Sequence, residues 1–300
     1  MTQTSDELRS SLRSRWYQFS SDRWSMFGLI VVGFFVVVAA FAPLINGLLD
    51  IDPYTFHAKT LDAQSVPSGS FGGASAAHPL GVEPLTGRDL LAVIVAGTRT
   101  SLFIALGALA ISTMLGLVIG VTAGFLGGWV DRILSGAINV LFGFPALLFM
   151  IALSAVLPAT FPRPVLVVFI VGIFGWPGMA RVIRAQTLSL RNRNFVRAAL
   201  VIGVSPLHAL AREVLPNLRA LVVVFATTSM PGLIATEASL SFLGVGVPAP
   251  TPSWGRSIGD AVAWVQTDPW FLIFPGIALV LLTLGFNLVG DGLRNAFNPA

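Results

Sequence analysis

Few residues in this sequence have the types and spacing needed for catalysis. Gly255, Ser257 and Gly259 form a G-x-S-x-G match, which in hydrolases places a nucleophilic serine on a strand-to-helix turn. The match follows a proline-rich stretch with no strand predicted before it, so we interpret it as a helix start after the tetrapeptide PSWG. ATP hydrolysis through a phosphate-binding loop is also excluded, because no G-x-x-x-x-G-K-[ST] motif occurs and the only lysine, Lys59, follows Ala58.

Histidines and carboxylates add one candidate. The three histidines are far apart and no H-E-x-x-H motif occurs, which argues against a metalloenzyme. We interpret His78, next to Pro79, as a loop anchor. Glu237 is different, because a carboxylate near the end of an apolar stretch is costly unless it is paired or meets water. Two hypotheses fit it equally: Glu237 lines or gates a polar path, or it caps the backbone of 238–242.

The composition indicates a membrane protein. Of the 300 residues, 55% are hydrophobic and 11% are charged, and the mean hydropathy is +0.82, outside the range of soluble domains. The net charge of +4 is better explained by lipid headgroups or an acidic protein partner than by nucleic acid. Cysteine is absent, which excludes disulfides and thiolate metal sites.

Six apolar stretches are long enough, or nearly so, to cross a bilayer core, which takes roughly 20 residues per helix. They are 24–49, 100–130, 133–162, 164–180, 220–236 and 269–290. The fourth and fifth are short and need their flanking arginines to snorkel to the interface. We therefore predict an all-α, polytopic fold with six transmembrane helices.

The distribution of basic residues predicts the orientation, since Arg and Lys collect on the cytoplasmic side. With the N-terminus inside, thirteen of the eighteen basic residues fall in cytoplasmic segments. We therefore expect both termini to be cytoplasmic. A cleaved signal peptide is not expected at the first stretch, because its apolar run is too long and no cleavage site follows.

These spans divide the chain into four parts. Residues 1–23 form a cytoplasmic or interfacial arm, and 24–49 form the first span. Residues 50–98 are expected to be an extracytoplasmic loop with a short helix over about 87–97. Residues 99–294 form the membrane core, which includes a cytoplasmic segment at 185–217.

The second span carries a stripe of small residues, because Ser112, Gly116, Gly120 and Gly124 recur at four-residue spacing. Such a stripe lets another helix backbone approach closely. A contact within the chain and a contact with another subunit are equally compatible with this pattern.

The segment 185–217 is predicted to fold into two capped helices. Asn194 can cap the first, which stops at Gly203, and Ser205 can cap the second with Pro206 at its first position. Pro216 is expected to end the second helix. Its apolar side is predicted to contain Leu207, Leu210, Ala211 and Val214, at i, i+3, i+4 and i+7. A plain connector is the alternative, although it would not need two caps.

The run FVRAALVIGVSPLHALAREVLPN at 195–217 resembles the EAA loop of binding-protein-dependent ABC permeases, whose pattern is E-A-A, three residues, Gly, then a distal hydrophobic-Leu-Pro. Arg197 stands where that pattern has Glu. Three more blocks are similar to the second permease subunit of dipeptide, oligopeptide and nickel importers: HPLG with GRDLL, WPGMARVIRAQTLSL, and EASLSFLGVGVPAPTPSWG. With AGFLGGWVDR and LRNAFNP, the resemblance covers nearly the whole chain after the arm.

The resemblance implies a type I ABC importer permease in a bacterial inner membrane, forming half of a pathway for peptides. It implies as partners a homologous second permease, two ATP-binding cassette subunits and an extracytoplasmic binding protein. ATP and Mg²⁺ are expected on the cassette subunits, with no cofactor in this chain, which is not an enzyme. The residues implied in ATPase coupling are Arg197, Ala198, Ala199, Gly203, Ser205, Pro206, Leu207, Arg212, Leu215 and Pro216.

Two alternatives accompany this assignment. Related permeases that share these motifs import nickel chelates or glutathione-like substrates. An ATP-independent channel or carrier is the alternative from a different class, but it predicts charged or polar residues at mid-span, whereas nearly all charge here lies at the span ends.

Overall fold

The computed structural model describes residues 16–156 and 161–297, and within them the regular structure is almost entirely helical. Most of the predicted N-terminal arm, residues 1–15, lies outside the described residues, and 16–21 are helical. The helices that follow are α1 (Arg23–Leu48), α2 (Leu90–Leu126), α3 (Gly128–Gly143), α4 (Ala146–Val156), α5 (Arg163–Arg191), α6 (Asn194–Val201), α7 (Pro206–Phe242), α8 (Trp254–Ala261) and α9 (Trp270–Phe297).

Five of these helices are long and apolar enough to cross a membrane: α1, α2, α5, α7 and α9. The predicted span at 133–162 is not one straight helix. It is a pair, α3 and α4, bent by 87°. Phe144 at the bend has extended backbone angles, and the following Pro145 disfavours a helical conformation there. If this pair crosses as one broken span, the described chain has six crossings.

The short helix expected at 87–97 is also not a separate element. Asp89 caps the N-terminus of α2 by accepting the Ala92 N–H at 2.8 Å, and the helix then runs unbroken to Leu126. At about 1.5 Å per residue, 37 residues span about 55 Å, far more than the roughly 30 Å of a bilayer core. The first turns of α2 therefore project beyond the membrane as part of the 49–89 loop structure.

The helices run alternately up and down, so the molecule has two distinct ends. The loop end carries residues 49–89, the α7–α8 connection and α8. The arginine end carries α6, the start of α7 and the arginine-rich C-terminal half of α5. Ser25 near the start of α1 lies against Gly292 near the end of α9, so both ends of the described chain meet at the arginine end.

The small-residue stripe of α2 is a contact within the chain. It packs against α5 so closely that a Cβ at Gly116 would lie 2.6 Å from Met179, and one at Gly120 would lie 2.6 Å from the Ala180 carbonyl oxygen. A Cβ added at Gly124 would likewise lie 2.7 Å from the Arg184 carbonyl oxygen. This seam resolves the choice between the two predicted contacts and joins α2 to α5 along most of the membrane.

Large apolar side chains outside these contacts face outward along the spans, as expected in a bilayer. Examples are Phe34 and Phe41 on α1 and Phe103, Met114 and Val118 on α2, all of them exposed in the isolated chain. Lipid or another subunit covers this surface in the membrane, since nothing within the described chain does.

Candidate functional site

The turn that follows α6 forms a Schellman motif at the arginine end. The Val204 N–H donates to the Ala199 carbonyl oxygen at 3.0 Å, and the Gly203 N–H donates to that of Leu200 at 3.2 Å. Gly203 has a φ of +90°, a conformation that glycine adopts without strain, as predicted. The predicted cap at the other end of α6 was one residue off. Asn194 is the first helical residue, and the preceding Arg193 occupies the cap position.

The start of α7 confirms one prediction and overturns another. Ser205 caps the helix by accepting the His208 N–H at 3.4 Å, with Pro206 at the first position. However, Pro216 does not end the helix. A π-helical turn over Leu210–Val214 precedes it, and the chain then continues as helix to Phe242. The wider turn accommodates a residue that lacks an N–H donor, so the segment is continuous with a membrane helix.

The buried side of this segment agrees only in part with the predicted one, since Val214 is buried and Leu210 half-buried, whereas Ala211 is exposed. Val196, Ala209 and Val214 are fully buried and anchor α6 and α7 to the body. Leu207 was expected on that side but is 75% exposed. An α-helical repeat cannot predict the correct side here, because the π-helical turn shifts the phase of the helix by one residue.

An apolar tip is left exposed where α6 meets α7. Val201 is 86% exposed, Ile202 80% and Leu207 75%, and these side chains flank the Gly203 turn. Most of the residues implied in coupling surround this tip. Exposed are Arg197, Ala198, Gly203, Ser205, Pro206, Leu207, Arg212 and Leu215, while Ala199 and Pro216 are half-buried. Arg197 donates to the Asn192 side-chain oxygen at 3.0 Å.

An ion pair that was not predicted from the sequence joins α5 to α3 at the arginine end. Arg184 on α5 binds both carboxylate oxygens of Asp131 on α3, with one Nη2–Oδ2 distance of 2.7 Å. On the same side of α5, Arg181 donates to the Asn139 side chain at 3.2 Å. The arginines of α5 therefore hold α3 against it, in addition to the role in topology predicted for them.

At the loop end, Glu237 lies fully buried in a cluster of hydroxyls. Its Oε1 atom accepts the Ser241 hydroxyl at 2.8 Å and the Ser253 hydroxyl at 3.1 Å. Ser241 in turn accepts the Val247 N–H at 3.2 Å. The backbone-capping hypothesis for Glu237 is wrong, since its hydrogen bonds come from side chains. These bonds tie the end of α7 to the start of α8. The pathway hypothesis stays a prediction.

The G-x-S-x-G match is a packing contact between α8 and α7. Gly255 and Gly259 face α7 so closely that their added Cβ atoms would lie 2.5 Å from the Ala238 carbonyl oxygen and 2.8 Å from that of Phe242. Ser257 is buried inside α8, and Ser253 caps that helix. The interpretation as a helix start is confirmed.

The 49–89 loop is held by two polar side-chain contacts, each of which includes a buried carboxylate. His78 Nδ1 lies 2.8 Å from Oδ2 of Asp89, the residue that caps α2, which confirms His78 as a loop anchor. Arg88 Nε donates to Glu83 Oε2 at 2.6 Å, and an Arg88 Nη1 atom reaches the Pro250 carbonyl oxygen at 3.1 Å. Burial raises the pKa of the Glu83 carboxyl, and the adjacent Arg88 partly offsets this rise.

Two family models match this chain. Residues 116–300 match the model described as binding-protein-dependent transport system inner membrane component. Residues 10–67 match the N-terminal TM domain of oligopeptide transport permease C. The first match includes all of α6 and α7 and the Glu237 cluster, and the second includes α1.

Curated relatives cover nearly the full length. The chain is 33% identical to the dipeptide transport system permease protein DppC of Alkalihalophilus pseudofirmus, over 97% of this chain and 90% of that protein. It is 34% identical to the oligopeptide transport system permease protein OppC of Haemophilus influenzae, over 98% and 91%. It is 36% identical to the glutathione transport system permease protein GsiD of Escherichia coli O6:K15:H31, over 98% and 92%. The chain therefore belongs to the family of binding-protein-dependent transport system inner membrane components, and it is a permease subunit of that family.

Proposed function

We propose that this permease forms half of the translocation pathway of an ATP-driven peptide importer and receives the force of ATP hydrolysis through its α6–α7 segment. The observation that carries the proposal is the apolar tip at Val201, Ile202 and Leu207. These side chains are exposed on a segment that is capped, anchored and rigidly continuous with a membrane helix. A connector with no partner would gain nothing from exposing them to water.

The orientation proposed is one in which the arginine end faces the cytoplasm. The predicted positive-inside pattern supports it, because the arginines of α5, α6 and early α7 lie together at this end. Both ends of the described chain lie there too, so both termini are proposed to be cytoplasmic. The 49–89 loop and α8 then face the side from which the binding protein delivers substrate.

Each proposed partner has a separate role in transport. Two cassette subunits bind ATP and Mg²⁺, and one of them contacts the apolar tip. A homologous permease supplies the other half of the pathway. Because α7 is continuous from Pro206 to Phe242, movement of the tip shifts a membrane helix as a body. Arg197, in place of the family's Glu, is exposed beside the tip and supplies positive charge for an acidic residue on the cassette subunit.

Peptides are the proposed substrates, because DppC and OppC are named for dipeptide and oligopeptide transport. Glutathione is the second candidate, supported by the GsiD relatives. The two are separated by competition: uptake of a labelled dipeptide or oligopeptide should be inhibited by unlabelled peptide at a lower concentration than by glutathione. The reverse order would favour the second candidate.

The experiment that tests coupling compares two glycines that follow helices and have positive φ. Gly203 (φ +90°) follows α6 at the arginine end, and Gly244 (φ +77°) follows α7 at the loop end; neither has a neighbour within 4 Å of an added Cβ. Gly203→Pro and Gly244→Pro impose similar local strain. In proteoliposomes that hold the whole complex, Gly203→Pro should abolish peptide uptake and substrate-stimulated ATP hydrolysis together, while Gly244→Pro should keep the stimulated hydrolysis.

Two outcomes would contradict the coupling proposal. One is an assembled Gly203→Pro complex that transports at the wild-type rate. The other is uptake that continues without ATP, which would favour a channel or carrier.

A further inference from the structure

A polar cavity of about 560 Å³ opens at the loop end between α1, α2 and the first residues of the 49–89 loop. Its wall includes Asn46 at the end of α1, Asp52 and Tyr54 in the loop, and Arg99 and Thr100 on α2. None of these residues belongs to the Glu237 cluster or to the coupling segment. The cavity lies where the end of α1 predicts the interface between lipid headgroups and water.

Two opposite charges face this cavity without pairing. Arg99 is exposed and makes no hydrogen bond or ion pair within the described part of the chain. Asp52 uses Oδ2 to accept the Thr55 hydroxyl at 2.6 Å, and no hydrogen bond to its Oδ1 atom is observed. A ligand that carries both an anion and a cation could satisfy both side chains at once.

The buried side chain of Asn46 also lies at the wall of this cavity. Asn46 is 7% exposed, and its amide nitrogen donates to the Ala92 carbonyl oxygen at 3.4 Å. Its Oδ1 atom is buried and has no hydrogen-bond partner among the described residues. Because this atom is out of reach of solvent, the ligand contacts in the cavity are assigned to Arg99 and Asp52.

An apolar groove of about 520 Å³ continues from the same position toward the membrane. It shares Arg99 and Thr100 with the polar cavity, and its other walls are apolar side chains of α1, α2 and the start of α5, such as Val36, Phe103 and Leu106. A cavity with charged side chains beside an apolar groove matches an amphiphile.

We propose that the polar cavity and the apolar groove together bind one phospholipid with a phosphate and a primary ammonium, of the phosphatidylethanolamine type. The phosphate binds Arg99, because a guanidinium is well suited to a phosphate anion. The ammonium donates to Asp52. One acyl chain lies in the groove between α1 and α2. This inference depends on the membrane location of the chain and not on its transported substrate.

The test uses the intact permease–cassette complex, depleted of lipid and then titrated with defined phospholipids, with bound lipid counted by native mass spectrometry. Arg99→Gln should weaken binding of phosphatidylethanolamine by roughly tenfold or more, since a charge-assisted hydrogen bond is lost. The matched control is Arg132→Gln, because Arg132 is exposed near the arginine end and borders neither the cavity nor the groove. This control should leave binding unchanged.

Headgroup selectivity gives a second readout. Asp52→Asn should remove the preference for phosphatidylethanolamine over phosphatidylglycerol while keeping affinity for the phosphate. Equal binding of both lipids by the wild type, or equal loss of affinity in both arginine variants, would overturn the proposal.

The occupant of the groove can be identified directly. Because the chain contains no cysteine, Leu106→Cys introduces a single reactive site in the groove wall of this subunit. Labelling by a thiol-reactive lipid analogue, blocked by excess phosphatidylethanolamine, supports the proposal. Efficient cross-linking of Leu106→Cys to the second permease, with no lipid labelling, would show that a protein helix fills the groove and would refute it.

Discussion

The loop end buries charge, whereas the arginine end exposes apolar surface. At the loop end Glu83 binds Arg88, Asp89 binds His78, and Glu237 accepts two serine hydroxyls, all within one chain. At the arginine end Val201, Ile202 and Leu207 are exposed on a segment whose helices are capped, and nothing in the described chain covers them.

This difference indicates where each end finds its partners. A buried carboxylate must be satisfied inside the chain, because desolvation without a partner costs several kcal/mol. An exposed apolar tip outside the membrane is covered only when a second protein binds it. The carboxylates of the loop end therefore find most of their partners inside the chain, whereas the apolar tip of the arginine end has the character of a surface that a partner subunit would cover.

The largest effect is expected from a charge at the tip. Leu207→Asp should prevent stable association with the cassette subunits and reduce substrate-stimulated ATP hydrolysis at least tenfold, because a carboxylate would be buried in an apolar contact. Pull-down of the cassette subunits with the tagged permease measures association. The control is Leu85→Asp, since Leu85 is 68% exposed at the loop end and can keep its positive φ as an aspartate. If the cassette subunits associated equally with both variants, the apolar tip would not be the surface that they bind.

The second effect tests the buried ion pair that holds the 49–89 loop. Arg88→Ala leaves the Glu83 carboxylate buried without its cation, which should destabilise the 49–89 loop by about 3–5 kcal/mol. Hydrogen exchange of residues 50–89 measures the loss of protection. The matched control, Arg256→Ala, breaks a more exposed pair with Asp260 and should cost less than about 1 kcal/mol.

The Arg88→Ala defect should also depend on pH and on Glu83. Adding Glu83→Gln to Arg88→Ala should restore much of the protection, because the buried charge is removed. Lowering the pH should have the same effect, since protonation neutralises Glu83. A defect of the same size at every pH would show that Arg88 acts only through its bond to the Pro250 carbonyl oxygen.

The third effect concerns the seam that connects the two ends. Gly120→Ala would place a methyl group 2.6 Å from the Ala180 carbonyl oxygen, which forces α2 and α5 apart at a cost of about 1–3 kcal/mol. The midpoint of thermal unfolding in detergent or nanodiscs should fall. Gly136→Ala is the control: its added Cβ has nothing within 4 Å, and it should be neutral or stabilising. Similar midpoints for the two variants would argue against the close α2–α5 contact.

The smallest effect is a pH dependence at Asp268, which precedes α9 at the loop end. Burial raises the pKa of its carboxyl above the ordinary 3.8, although backbone N–H groups of Trp270 and Phe271 partly offset this. A raised pKa in the folded state means that the contribution to stability is complete at acidic pH and is lost as pH rises through that pKa. Asp268→Asn should therefore raise stability at neutral pH by roughly 0.5–1 kcal/mol.

Thermal midpoints across the pH range check this sign. The gain from Asp268→Asn should shrink as the pH falls toward and below the ordinary pKa of 3.8, because the raised pKa of the wild-type carboxyl favours its protonated form there. A gain that is constant with pH, or a loss at neutral pH, would mean that the charge of Asp268 is stabilised by its surroundings.

The sequence by itself determined the class of fold, the family and most of the segments. Membrane-spanning helices can be predicted from hydropathy alone, because the bilayer requires a helix that is both long and apolar, whatever it packs against. Gly203 and Ser205 were correctly assigned because the caps they form depend on backbone conformation within a few residues. The EAA-like run likewise lies within one contiguous stretch.

Only the tertiary structure decided the features that depend on distant contacts. The 37-residue length of α2 depends on a cap at Asp89 that is fixed by His78, eleven residues earlier. The passage of α7 through Pro216 depends on a π-helical turn that no period-3.6 pattern contains. The hydrogen-bond donors to Glu237 are Ser241 on α7 and Ser253, which is 16 residues away. The small-residue stripe of α2 packs against α5, about 60 residues later in the chain. Local sequence sets backbone preference, but the choice of partner for a buried group is made by packing.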